Sequence, residues 1–183
     1  QRQMCIRDRF VTYYIHNNKN SNFPTSKFYE TWKSIFYSQN YNMKNFVHKD
    51  FEFVNLFFLE NYESHLQCGI IDFQSAFKGF IGWDLISLLE NPRINFTRDY
   101  NDKLIEYFYD NTSIIENFNT FLEQYYVLSL ARQTRLLGRW RKLLITNNDN
   151  QYLDYLKITK SRIAVTLNNI KNYELRSMYE KYL

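Results

Sequence analysis

The chain has 183 residues, enough for one ordinary domain, with 45% hydrophobic residues, 16 Tyr and 16 Phe but only 4 Gly and 2 Pro. That balance excludes a disordered or turn-rich β protein and favours helices around a bulky core. A net charge of +4 suits anionic ligands but is too weak and too scattered for a nucleic-acid surface. Two cysteines, Cys5 and Cys68, make no metal or redox spacing. A reducing cytoplasm is therefore expected, with no apolar run long enough to span a membrane and no signal-peptide pattern.

In chain order, residues 1–9 (QRQMCIRDR) have neither apolar periodicity nor a cap, and are expected to be a non-native leader. The rest, 10–183, is expected to fold as one domain. Phe10 to Ile15 reads as the end of a helix and Asn17 to Phe23 as a loop. Pro24 suits a first helical position, and Phe28, Trp32, Ile35 and Phe36 then recur at helical spacing to about Tyr37. Phe46-Val47 is a short extended segment. Asn55 to Leu59 and Leu66 to Phe73 are apolar runs separated by a polar turn, which predicts a β-hairpin, and Gly69 inside the second run suggests a bulge or a close backbone approach.

Trp83 to Leu89 predicts a buried helix stopped at Asn91-Pro92. A helix is expected from Asp102 to Tyr109. Ser113 and Glu116 form a capping-box pattern ahead of one or two helices over Phe118 to Leu144. Asn147 to Asn150 reads as a turn, Tyr152 to Tyr173 as a further amphipathic helix, and Tyr179 to Leu183 as a packed or frayed end. His16 and His65 sit in polar surroundings and read as surface residues. The fold class expected from these elements is α+β, mainly α.

The stretch 46–91 carries the chemistry. It holds three of the four glycines, and it places two of its aspartates and one asparagine so that a loop and a hairpin can bring them together. Phosphoryl transfer to an alcohol needs a carboxylate to orient the hydroxyl and accept its proton, and hard oxygen ligands for Mg²⁺. Asp50 on a loop, Asn55 five residues later and Asp72 at the end of the hairpin supply that set in the order used by protein kinases. Any one of these residues alone would more simply be a solvated turn or cap; the joint spacing is what points to a site.

The wider pattern is His48-Lys49-Asp50-Phe51 with Asn55-Leu56, then Gly69-Ile70-Ile71-Asp72-Phe73-Gln74 with Ala76, Gly79, and Asp84-Leu85 with Ser87-Leu88-Leu89. It resembles the aminoglycoside phosphotransferase superfamily over roughly residues 10–183. Within it, Asp-Phe-Gln and the run Ala131-Arg132-Gln133-Thr134-Arg135-Leu136-Leu137-Gly138 look most like the bacterial N-acetylmuramate/N-acetylglucosamine kinases. The resemblance implies a protein-kinase-like C-terminal lobe with a short β-hairpin after the catalytic loop.

It further implies Asp50 as catalytic base, Asn55 and Asp72 as Mg²⁺ ligands, and His48 and Asp84 as supports of the catalytic loop. ATP is implied as co-substrate and an amino sugar as acceptor. Lys49 departs from the Arg or Gly usual at its place, and Phe51-Glu52-Phe53 from the commoner Tyr-His pattern.

The superfamily's N-terminal nucleotide lobe has no counterpart before Phe10, so the nucleotide lobe is expected to be absent and the polypeptide weakly active or inactive by itself. Arg132, Arg135, Arg139, Arg141 and Lys142 cluster as a basic face. It reads either as a solvated helix surface or, through Arg132 and Arg135, as a contact to an acidic substrate group. An aminoglycoside, choline-like or homoserine kinase, and a non-catalytic kinase-like binding protein, remain as alternatives; no oligomeric state follows.

Overall fold

The computed structural model describes residues 7–16, 22–94, 96–114 and 116–183, with side chains described from Arg9 onward. It is mostly helical, with short strands in two two-stranded sheets. The chain forms two compact units, one from residues 1–40 with 119–183 and the other from 41–118.

The first unit is helical. A π-helical segment spans Arg7–Ile15, beginning inside the stretch expected to be a leader. Helix α1 covers Thr25–Ser38, α4 Phe118–Asn147, α5 Gln151–Leu167 and α6 Tyr173–Tyr182. Pro24 caps α1 rather than opening it, and its carbonyl accepts from the Phe28 amide. The periodic face of α1 buries Phe28, Thr31, Trp32 and Ile35. These join an aromatic cluster in which the Phe10 ring lies 5.6 Å from Phe28 and 6.1 Å from Tyr179.

Tyr179 is fully enclosed and its hydroxyl bonds Thr134 of α4; burial pushes its phenol well above the ordinary tyrosine range. The end of the chain therefore packs. The single helix expected over Tyr152 to Tyr173 is two helices. It breaks after Leu167, and Asn172 restarts the chain as an N-cap, its side-chain oxygen accepting from the Leu175 amide at 2.8 Å.

The second unit carries the strands β1 (Asn45–Val47), β2 (Leu56–Phe58), β3 (Cys68–Ile70) and β4 (Phe77–Gly79), and the helices α2 (Trp83–Leu89) and α3 (Arg98–Asp110). Strands β2 and β3 form the expected hairpin, Leu56 opposite Ile70 and Phe58 opposite Cys68. The register runs unbroken through Gly69, so there is no bulge; a Cβ there would meet only the Leu59 side chain, at 3.2 Å. Sequence patterning did not reveal β4, which pairs antiparallel with β1, Asn45 opposite Gly79.

Helix α2 matches its expected bounds and buries Ile86 and Leu89, while Trp83, Leu85 and Leu88 are half-buried. Helix α3 starts earlier than expected, at Arg98, because the Thr97 hydroxyl caps it by accepting from the Tyr100 amide. Ser113 caps no helix: α4 begins at Phe118, and the Glu116 carbonyl instead accepts from the Tyr109 hydroxyl at 2.7 Å. Of the remaining sequence expectations, Cys5 and most of the loop Asn17 to Phe23 lie outside the described residues. Cys68 is a free exposed thiol, and His16 and His65 are exposed.

Candidate active site

The loop between β1 and β2 carries His48, Lys49, Asp50 and Asn55, and its shape is set mainly by Asp84 in the first turn of α2. One Asp84 carboxylate oxygen accepts from the His48 amide at 2.7 Å and the other from the Lys49 amide at 2.9 Å. Bonds from backbone N–H to an ionised carboxylate are stronger than neutral ones, at about 1.5–3 kcal/mol each. They hold Lys49 in a left-handed conformation, φ 77°, which a non-glycine residue adopts only at a cost of about 1–3 kcal/mol. The Lys49 carbonyl is held too, accepting from the Ser87 hydroxyl at 3.2 Å and from the Trp83 indole N–H at 3.4 Å.

Burial raises the pKa of Asp84, and the two backbone donors and the nearby His48 oppose that rise; the negative charge of Asp50 adds to it. Asp84 therefore shapes the loop through its backbone amides.

His48 is buried, and its Nε2 lies 2.9 Å from the Ile71 carbonyl at the end of the hairpin. A carbonyl only accepts, so Nε2 carries a proton and donates it, while Nδ1 has no hydrogen-bond partner. This bond ties the loop to the residue before Asp72. A second tie runs from the Ile71 amide to the Asn55 carbonyl at 3.1 Å.

Asn55 also reaches back along its own loop. Its Nδ2 donates to the Asp50 carbonyl at 2.8 Å, which leaves Oδ1 as a free oxygen donor. Asp72 is exposed and left-handed, φ 69°, with Oδ1 accepting from the Gln74 side-chain Nε2 at 2.6 Å and Oδ2 left over. The Asp50 carboxylate is 43% exposed, with the Lys49 ammonium 3.6 Å from Oδ2.

Backbone and side-chain bonds thus link the segments that carry His48, Asp50, Asn55, Asp72 and Asp84 within one unit. Among the described residues no group of three or more His, Cys, Asp or Glu could hold a metal ion. Asn55 Oδ1 and Asp72 Oδ2 are hard oxygens of the kind that Mg²⁺ takes from protein beside substrate phosphates.

Arg132 and Arg135 belong to the other unit, on α4. Arg132 is 3% exposed, which overturns the solvated-face reading for that residue. Arg139 is exposed and lies over the Trp140 ring, and Lys142 over the Tyr13 ring.

Two contacts had no forerunner in the sequence pattern. One is the Lys49–Asp50 ion pair, and the other is the bond from Arg93 to Glu52 at 2.6 Å, which ties the loop to the segment after α2. Among the described residues no helix is long and apolar enough to cross a membrane.

No family model matches the chain. Among curated proteins, an N-acetylmuramate/N-acetylglucosamine kinase of Caulobacter vibrioides is 22% identical over 138 residues, covering 75% of this chain and 38% of that protein. A second protein of the same name, from Neisseria meningitidis serogroup B, is 25% identical over 133 residues, covering 66% of this chain and 38% of that protein. The chain thus spans 38% of the length of these relatives, and the two matches support a relationship to kinases.

Proposed function

We propose that the chain is the part of an ATP-dependent sugar kinase that carries its phosphoryl-transfer residues, with a cell-wall amino sugar such as N-acetylmuramate or N-acetylglucosamine as acceptor. The observation that carries the reading is the bonding of Asn55 to both ends of the arrangement: its side chain to the Asp50 carbonyl and its own carbonyl to the amide before Asp72. A base on one segment and a ligand on another are useful together only if something fixes their separation. The names of the two relatives support the substrate class.

In this reading the Asp50 carboxylate accepts a hydrogen bond from the acceptor hydroxyl. As the hydroxyl oxygen forms its bond to the γ-phosphorus, the bond from that phosphorus to the β–γ bridging oxygen breaks. The electron pair leaves with ADP and the hydroxyl proton passes to Asp50. Mg²⁺, when bound, neutralises charge on the phosphate oxygens. Asn55 Oδ1 and Asp72 Oδ2 are the oxygens of this chain that would hold it. His48 and Asp84 keep the two segments in register. The chain spans 38% of the length of the two relatives, so the activity is tested on the full-length protein.

The test is a sugar screen for ATP consumption by the full-length protein, beside its Asp50→Asn variant. Turnover on N-acetylmuramate or N-acetylglucosamine is expected, with kcat falling by at least about 10²-fold in the variant. Activity confined to aminoglycosides would replace the substrate assignment, and an active Asp50→Asn protein would remove the mechanism.

A further inference from the structure

The mechanism above does not use the side chain of Lys49, although that side chain is turned toward the candidate base. Successive side chains of extended backbone point to opposite sides. Lys49 and Asp50 would therefore diverge if both were extended. The left-handed φ of 77° at Lys49 breaks that alternation and brings its Nζ to 3.6 Å from Asp50 Oδ2.

Glycine would adopt the same backbone without strain, and the bonds that fix this peptide all involve backbone atoms of residue 49: Asp84 to the amide, Ser87 and Trp83 to the carbonyl. The loop's shape thus has no need of the lysine side chain. What that side chain adds is a cation on one oxygen of a carboxylate that is otherwise 43% exposed and so not packed into one orientation.

We propose that Lys49 is a positioning residue for phosphoryl transfer: its ammonium holds Oδ2 of Asp50 and so presents Oδ1 to the acceptor hydroxyl. This rests on the phosphotransferase reading, with Asp50 as base. Only the orientation of the acceptor carboxylate depends on Lys49; the sugar and the nucleotide are gripped elsewhere. Loss of the ammonium therefore lowers kcat and leaves the sugar KM in place.

The test uses the full-length protein with the sugar found in the screen, and the variants Lys49→Gly, Lys49→Arg and Lys49→Gln. Lys49→Gly keeps the loop and removes the charge. Its kcat is expected to fall about tenfold or more, with a sugar KM within about twofold of the parent and an unchanged or higher melting midpoint. Arg and Gln carry the same backbone strain, so the difference between those two variants reads the presence of a cation without a change in strain, even if Lys49→Gly folds poorly. Lys49→Arg is expected to recover most of kcat and Lys49→Gln none of it.

Parental kcat in Lys49→Gly or Lys49→Gln, or a Lys49→Arg protein as slow as Lys49→Gln, overturns the inference. An Asp50→Asn control separates the two levels. If it is inactive while the Lys49 variants run at full speed, only the role of Lys49 fails; if it is active, the mechanism fails with it.

Discussion

Asp84 concentrates the energetics of the candidate site in one carboxylate. It accepts two backbone amides, at 2.7 Å and 2.9 Å, and holds a left-handed residue between His48 and Asp50. An asparagine in its place has a single oxygen acceptor and turns an NH₂ group toward one of the two amides. Asp84→Asn is therefore expected to cost about 1–3 kcal/mol in chemical denaturation, because one partly buried donor is left unmatched.

The pH dependence has a definite sign. The pKa of Asp84 in the folded protein is raised from its ordinary 3.8, chiefly by burial. Its contribution to stability is then largest below that ordinary value and is lost as pH rises through the raised one. The stability advantage of the parent over Asp84→Asn should consequently shrink over the interval above about pH 4, measured as the difference in urea midpoints. An advantage that grows over that interval would refute the assignment.

At this scale the sequence exposed the residue types and their spacing. It did not expose the left-handed backbone at Lys49 and Asp72, because neither position is a glycine that would advertise it. Nor did it show that Asn55 spends its amide on the Asp50 backbone and that Gln74 occupies one oxygen of Asp72.

Among the elements, those defined by strong local signals were legible. Helix α2 is bounded by a glycine before it and Asn91-Pro92 after it, and both limits were readable. The hairpin followed from two apolar runs and a polar turn. Strand β4 was missed because Phe77–Gly79 is three residues long and pairs with β1, some thirty positions earlier, so no local period marks it. The break between α5 and α6 was missed because 168–172 keeps the polar–apolar mixture of its flanks; only the capping chemistry of Asn172 distinguishes it.

Gly138 shows packing overriding propensity. Inside α4 an alanine would ordinarily be favoured over glycine by about 1 kcal/mol. Here a Cβ would lie 2.3 Å from the Arg9 carbonyl carbon and 2.5 Å from the Phe10 nitrogen, backbone atoms of the π-helical segment that have no side-chain freedom to yield. Gly138→Ala should destabilise the protein by about 1–3 kcal/mol despite its better helix propensity. A melting midpoint equal to or above the parent's would show that the segment moves aside at no cost.

At the scale of the whole molecule, the high aromatic content forecast a bulky helical core, and the first unit has one, from Phe10 and Phe28 to Trp140 and Tyr179. Composition gave no warning that the second unit would leave so much apolar surface uncovered. Phe57 and Phe58 are neighbours on β2 and so face opposite sides of the hairpin, yet they are 50% and 70% exposed. Ile70, Ile71 and Phe73 are exposed as well.

A two-stranded hairpin solvated on both faces has little burial to stabilise it. Beyond its own cross-strand bonds, the hydrogen bonds at its base, Ile71 to Asn55 and His48 to Ile71, tie it to the loop. Its strand amides should exchange with solvent deuterium far faster than those of the buried middle of α4, Tyr125 to Leu137. Because His48 supplies one of the two basal ties, His48→Ala should speed exchange in β2 and β3 further while leaving α4 protected. If the hairpin amides are instead as protected as α4, or if His48→Ala leaves their exchange unchanged, then contacts other than these two bonds hold the hairpin. The ties from His48 and Asn55 would in that case not be what fixes Asp72 relative to Asp50.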